Sequence, residues 1–208
     1  MDKVFSDFYT VPNYQREFVW QPENVEKLLE DVFNEFYRDE DEEPSSSQEY
    51  FIGSIVVCPY HDGTFELIDG QQRLTTIFLL LCAIRDALQQ ESSSPPDTLR
   101  RYITDTSMDP RTGDDVNRYR IVLQYEDSRN VLEQIGGNAR IDTIPQDTGS
   151  TRNIIAAYET AKGFLAERFD KDPKQIKSFL AKFTSRVKLI RIETPNRAYA
   201  LKIFGNHQ

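Results

Sequence analysis

The sequence predicts a mixed α+β fold, in which helices pack on a small sheet and a mainly helical part follows. Three segments indicate it: apolar residues at helical spacing over 22–37, a β-hairpin over 50–68, and a long apolar run over 74–90. The hairpin is predicted because two apolar segments flank His61-Asp62-Gly63, and Asp-Gly favours a tight turn. A chain of 208 residues suffices for one or two domains.

The remaining elements follow from the same periodicities. An extended segment is predicted over 8–20, interrupted by Pro12, and a charged, Ser/Pro-rich, disorder-prone loop over 38–49. Further predictions are helices near 97–104, 127–135, 151–169, 173–183 and 196–204, a polar loop over 105–115, and strands near 119–125 and 186–193. We therefore expect a core over 1–90 and a mainly helical extension over 91–208, packed together as one unit.

Composition and charge argue against several classes of protein. The longest apolar run, 77–84, is far shorter than the ~20 residues of a membrane-spanning helix, and the N-terminus does not resemble a signal peptide. Cys58 and Cys82 lie in apolar segments, which predicts reduced, buried thiols and a cytoplasmic protein. A net charge of −9 disfavours general nucleic-acid binding, although the basic stretch from Asp170 onward could form a local patch. Histidine occurs only as His61 and His207, which argues against a Ser-His-Asp triad or a zinc site.

A polar cluster, Asp69 to Arg73, lies between the predicted hairpin and the long helix. The first amides of a helix are unpaired and attract anions, and an arginine suits phosphate oxygens. Gly70 allows a sharp turn and close approach of a ligand. Gln71 and Gln72 could donate amide hydrogens or orient a water, and Asp69 could hold Mg²⁺ or polarise a water. These groups suit a phosphate-bearing ligand.

The same residues also allow a purely structural interpretation. Asp69 could cap the helix, Gly70 could satisfy the turn, and Arg73 could pair with a carboxylate. The residue types alone leave the two interpretations equally weighted, and no P-loop pattern occurs in the chain.

A second candidate segment precedes the first predicted helix. Tyr14, Arg16 and Trp20 could stack on a base and contact phosphate, although for Phe18 and Trp20 a place in the core is the favoured interpretation. The pair Gln15-Arg16 mirrors Gln72-Arg73.

Three segments, "VPNYQREFVW", "YFIGSIVV" and "LIDGQQRLTTIFLLLCAI", together resemble the N-terminal domain of GmrSD-type modification-dependent restriction enzymes. This family is related to the ParB/sulfiredoxin fold. The resemblance implies a domain that binds and hydrolyses a nucleoside triphosphate with Mg²⁺, coupled to cleavage of modified DNA by a separate nuclease domain or subunit. It implies catalytic roles for Asp69, Gln72 and Arg73, with Mg²⁺ on Asp69. The implied nucleotide contacts are Gln15, Arg16, Gly70, Gln71, Arg73 and Thr75.

The sequence departs from the family pattern after "ALKIF", where "GNHQ" closes it and no nuclease region follows. We therefore expect no DNA cleavage by this chain. The alternative function is a non-catalytic module that recognises modified DNA or a partner subunit. Nuclease activity in the domain itself ranks last, because a clear carboxylate cluster and catalytic histidines are missing from the sequence.

Overall fold

A computed structural model describes residues 1–37 and 49–204. Its helices and mixed sheet confirm the predicted α+β class. The strands are Phe8–Val11 (β1), Tyr50–Pro59 (β2), Thr64–Asp69 (β3), Thr104–Met108 (β4), Asp115–Tyr119 (β5), Ile121–Leu123 (β6) and Val187–Glu193 (β7). The helices are Asp2–Phe5 (α1), Pro22–Tyr37 (α2), Gln71–Gln90 (α3), Asp97–Ile103 (α4), Val131–Gly136 (α5), Gly149–Phe169 (α6), Pro173–Arg186 (α7) and Arg197–Phe204 (α8). Short 3-10 helices cover Glu126–Ser128 and Ile141–Thr143.

Five strands form one mixed sheet in the order β6-β1-β3-β2-β7, while β4 and β5 pair separately. Strand β1 runs parallel to β3 and β6, and β2 runs antiparallel to β3 and parallel to β7. The central strands come from the first 90 residues, and both edge strands come from later in the chain. The sheet therefore contains strands from both parts that the sequence suggested; their division into domains stays a prediction.

Helix α3 lies at the centre of the core, because apolar residues occupy almost every face of it. It packs with α6, and α6 packs with α2, whose buried Val25, Leu29, Val32 and Phe36 recur at helical spacing. On the opposite side of the sheet, α8 covers a smaller apolar cluster. The predicted burial of both cysteines as free thiols is confirmed. Within residues 1–37 and 49–204, no helix is long and apolar enough to cross a membrane.

Two predicted elements are wrong. The loop predicted over 105–115 is largely a β-hairpin of β4 and β5. Its side chains are mostly polar and exposed, so the sequence shows no apolar alternation that would predict the strands. The extended segment predicted over 8–20 is a strand only to Val11, since Pro12 has no amide hydrogen to continue the ladder. Most of the predicted loop over 38–49 lies outside the described residues.

An ion pair between a half-exposed arginine and a buried carboxylate joins α8 to β3. Glu66 is only 2% exposed, and Arg197 donates from Nε to its carboxylate at 2.8 Å while its guanidinium also stacks over the Tyr14 ring. Cys58 lies beside Glu66, and burial together with that carboxylate raises the pKa of the thiol to about 11. Strand β3, which leads to the polar cluster, is thus tied to the last described helix.

We expect Arg197→Leu to lower the free energy of unfolding by about 2 kcal/mol, because Glu66 would remain buried without its counter-charge. Adding Glu66→Gln should recover much of the loss, since it removes the buried charge. Urea unfolding measures both changes. The control is Arg140→Leu, which breaks an exposed pair with Asp142; an equal loss in the two single variants would contradict the stabilising role of Glu66–Arg197.

Candidate functional site

The polar cluster forms the turn from β3 into α3. Asp69 ends the strand, Gln71 begins the helix, and Gly70 between them has a left-handed φ of +85°. A Cβ atom on Gly70 would lie 2.8 Å from Ile55 Cγ2 and 2.9 Å from the Ser54 carbonyl oxygen. The expected sharp turn is present, and the glycine is required both by its backbone conformation and by the closeness of β2.

The helix begins three residues earlier than the predicted residue 74, so Gln71, Gln72 and Arg73 form its first turn. No side chain among the described residues caps this end of α3. The capping role that the structural interpretation gave to Asp69 is therefore not observed. The first amide groups of the helix have no intrahelical acceptor, and they remain available to an anion.

A cavity of about 210 Å³ opens at this helix start and is lined by Arg16, Trp20 and the five residues Asp69 to Arg73. The structure therefore brings together the two sequence segments that carry the Gln-Arg pairs. The lining contains two arginines and one aspartate, so its formal charge is positive. Together with the uncapped helix start, this favours a ligand with several negative charges.

Gln72 fixes the wall of the cavity. Its Oε1 accepts hydrogen bonds from the backbone amides of Val19 at 2.9 Å and Trp20 at 3.2 Å, and its Nε2 donates to the Glu17 carbonyl oxygen at 2.9 Å. The side chain is 7% exposed. Because three backbone groups of residues 17–20 depend on one amide, Gln72 holds that segment, including Trp20, against α3.

The other two glutamines make the same kind of contact. Gln15 donates from Nε2 to the Ile68 carbonyl oxygen at 2.9 Å, and Gln71 Nε2 approaches the Arg16 carbonyl oxygen at 3.5 Å. Each glutamine thus reaches the backbone of the opposite segment. The two Gln-Arg segments interlock through amide side chains, which positions Arg16 beside the helix start.

Arg73 lies against β2 at an irregular point of that strand. Its Nη1 donates to the Ser54 carbonyl oxygen at 3.2 Å. A Cβ on Gly53, which has φ +116°, would lie 2.8 Å from the Arg73 Cζ atom. The pairing of β2 with β7 shifts register between Phe51 and Ser54, as at a β-bulge. Sequence reasoning missed Gly53; a glycine inside an otherwise apolar strand was the available signal.

Two predicted contact residues lie behind the cavity rather than in its wall. Thr75 is 1% exposed and Gln15 is 4% exposed, and neither lines the cavity. The described residues contain no group of three or more His, Cys, Asp or Glu side chains able to hold a metal. Asp69 is exposed and lines the cavity. One carboxylate suits Mg²⁺ when phosphate oxygens and waters supply the other ligands.

The family model described as "GmrSD restriction endonuclease, N-terminal domain" matches residues 1–207. A search of curated proteins gives no match. The matched region includes both segments that line the cavity, and it places the chain in a restriction system.

Removing the Gln72 side chain should loosen the site. We expect Gln72→Ala to lower the free energy of unfolding by about 2 kcal/mol, because backbone groups at Glu17, Val19 and Trp20 would lose their partners. Urea unfolding and hydrogen exchange at residues 17–20 measure the effect. Gln90→Ala, at the exposed end of the same helix, is the control; equal stability of the two variants would contradict this role.

Proposed function

Because the chain belongs to the family of GmrSD restriction endonuclease N-terminal domains, we propose that it binds a nucleoside triphosphate with Mg²⁺ and hydrolyses it. One observation carries the proposal: Arg16, Arg73, Asp69 and the uncapped start of α3 line one cavity. A triphosphate presents several negative charges and many acceptor oxygens, which this set of donors can match.

Binding rests on fixed groups. The amides of the first turn of α3 donate to phosphate oxygens, and Arg73 adds a guanidinium whose position is set by Ser54 and Gly53. Arg16 approaches from the other segment. Since the glutamine contacts hold these walls before the ligand arrives, little ordering is required when it binds.

Asp69 supplies the carboxylate for Mg²⁺. Bound Mg²⁺ neutralises charge on the phosphate oxygens and favours the reactive geometry. Asp69 lies at the end of a strand whose pairing with β2 is irregular beside Val56. Its carboxylate is exposed, so it can bind the ion without first breaking a buried ion pair.

Hydrolysis requires a water in line with the bond that breaks. The water oxygen forms a bond to the γ-phosphorus, the bond from that phosphorus to the β–γ bridging oxygen breaks, and the water proton passes to the released phosphate. Arg16 stabilises charge on the γ-phosphoryl oxygens, and Arg73 stabilises the charge that develops on the leaving phosphates. We assign the orientation of this water to Gln71, because both ends of the Gln72 amide are engaged with residues 17–20, whereas the Gln71 amide makes one long contact, from Nε2 to the Arg16 carbonyl oxygen. Gln72 then acts as a positioning residue.

Arg73→Ala tests the proposal directly. We expect at least a tenfold loss in affinity for Mg²⁺-nucleoside triphosphate, since a charged donor is worth roughly 1.5–3 kcal/mol. Titration calorimetry measures binding, and phosphate release measures turnover. Arg100→Ala, which removes an exposed arginine of α4, is the matched control and should bind normally.

The same assay separates the two functions considered from the sequence. Wild-type protein that binds modified DNA, but shows neither affinity for a nucleoside triphosphate nor turnover, would refute the proposal and favour a non-catalytic sensor. Binding without turnover would refute hydrolysis by this chain alone.

Gly53→Ala should weaken triphosphate binding by displacing the Arg73 guanidinium. The new methyl group would lie 2.8 Å from the Arg73 Cζ, at a φ that alanine rarely adopts, so the guanidinium must move. We expect a loss of affinity similar to that of Arg73→Ala, measured by calorimetry. Gly113→Ala is the control, because Gly113 also has positive φ but no neighbour within 4 Å. Normal binding by Gly53→Ala would show that the position of Arg73 is unimportant.

A further inference from the structure

A second cavity, of about 380 Å³, continues from the first along α2 and the start of β2. It shares Trp20 and Arg73 with the first cavity. Resting on the proposed function, we infer that this second cavity holds the nucleoside of the triphosphate whose phosphates lie at the start of α3. Phe51 is the side chain on which the base stacks.

The size of the two spaces supports this division. The first cavity, about 210 Å³, is smaller than the roughly 300 Å³ at which pockets for drug-sized ligands begin. Its charged lining suits the phosphates but leaves little room for a base and a ribose. The second cavity adds about 380 Å³ and supplies that room directly beside it.

The lining of the second cavity differs in chemistry from that of the first. Trp20, Leu28, Tyr50, Phe51 and Ile52 give it an aromatic and aliphatic surface. Phe51 is 55% exposed, although it lies within a strand of the central sheet. A large apolar ring left in water at the mouth of a cavity is a suitable surface for the face of a base.

The rim of this cavity carries polar groups for the rest of the nucleoside. Lys27 and Asp31 are one helical turn apart on the exposed side of α2, and both line the cavity. The Lys27 ammonium can only donate hydrogen bonds, and the ionised Asp31 carboxylate can only accept them. They can therefore pair with the ribose hydroxyls or with the edge of the base, while neither is needed for the phosphates.

The shared wall fixes the direction of the ligand. Arg73 borders both cavities, so it contacts the phosphates nearest the ribose. The γ-phosphate then extends into the first cavity toward Asp69 and Arg16, which line that cavity and not the second. This places the reacting phosphate beside the carboxylate that binds Mg²⁺.

Phe51→Ala, compared with the wild-type chain, tests this assignment with two kinds of ligand in the presence of Mg²⁺. The ligands are each of the four ribonucleoside triphosphates and inorganic tripolyphosphate, which has phosphates but no nucleoside. Because the variant loses the surface on which the base stacks, we expect it to bind the preferred nucleotide about tenfold more weakly and to bind tripolyphosphate with unchanged affinity. Phe51→Trp, which keeps a stacking surface, should retain nucleotide affinity.

Tyr60→Ala is the matched control, because it removes an exposed aromatic residue nine positions along from Phe51 and outside both cavities. Unchanged nucleotide affinity in Phe51→Ala would overturn the inference. An equal loss of affinity for nucleotides and for tripolyphosphate would also overturn it. Wild-type protein with equal affinity for tripolyphosphate and nucleotides would also overturn it, while leaving the phosphate site intact. Failure of the wild-type chain to bind either ligand would instead refute the proposed function.

Discussion

The arrangement of the site depends on the amide of Gln72, which makes three hydrogen bonds to the backbone of residues 17–20. These residues have no strand or helix of their own, and an irregular segment needs partners for its buried backbone groups. A side chain from the first turn of α3 supplies them. The same contacts therefore determine where Trp20 lies and how the N-terminal segment meets the helix.

Two glycines determine the rest of the site geometry. At each of them a neighbouring group lies so close that a Cβ atom would collide with it. Gly70 brings the helix start against β2, and Gly53 leaves room for the Arg73 guanidinium. The buried side-chain amides of Gln15 and Gln72 donate hydrogen bonds to backbone carbonyl oxygens. The start of α3 and Arg16, in contrast, line the cavity. The cavity wall thus combines a hydrogen-bonded support with helix amides that no side chain of residues 1–37 or 49–204 caps, and such preorganised donors are what binding of a charged ligand requires.

Much of the fold could be predicted from the sequence, because helices α2 and α3 and the hairpin of β2 and β3 carry strong local apolar patterns. The hairpin of β4 and β5 carries no such pattern. The clustering of residues 69–73 at the candidate site could also be predicted, since they are adjacent in sequence. The contacts of Gln72 and Gly53 could not, because they join residues that are about 20 to 55 positions apart.

The position of the edge strands has a consequence for how the chain completes its fold. Strand β2, which holds Arg73 through Gly53 and Ser54, receives its outer partner β7 only once residues 187–193 have been synthesised. Until then its edge presents unpaired backbone groups, which are sites for pairing with another chain. A fragment ending at residue 90 would keep both β1 and β2 in this state permanently. Shortening the chain to its conspicuous motif would therefore produce an aggregating fragment instead of a minimal binding domain.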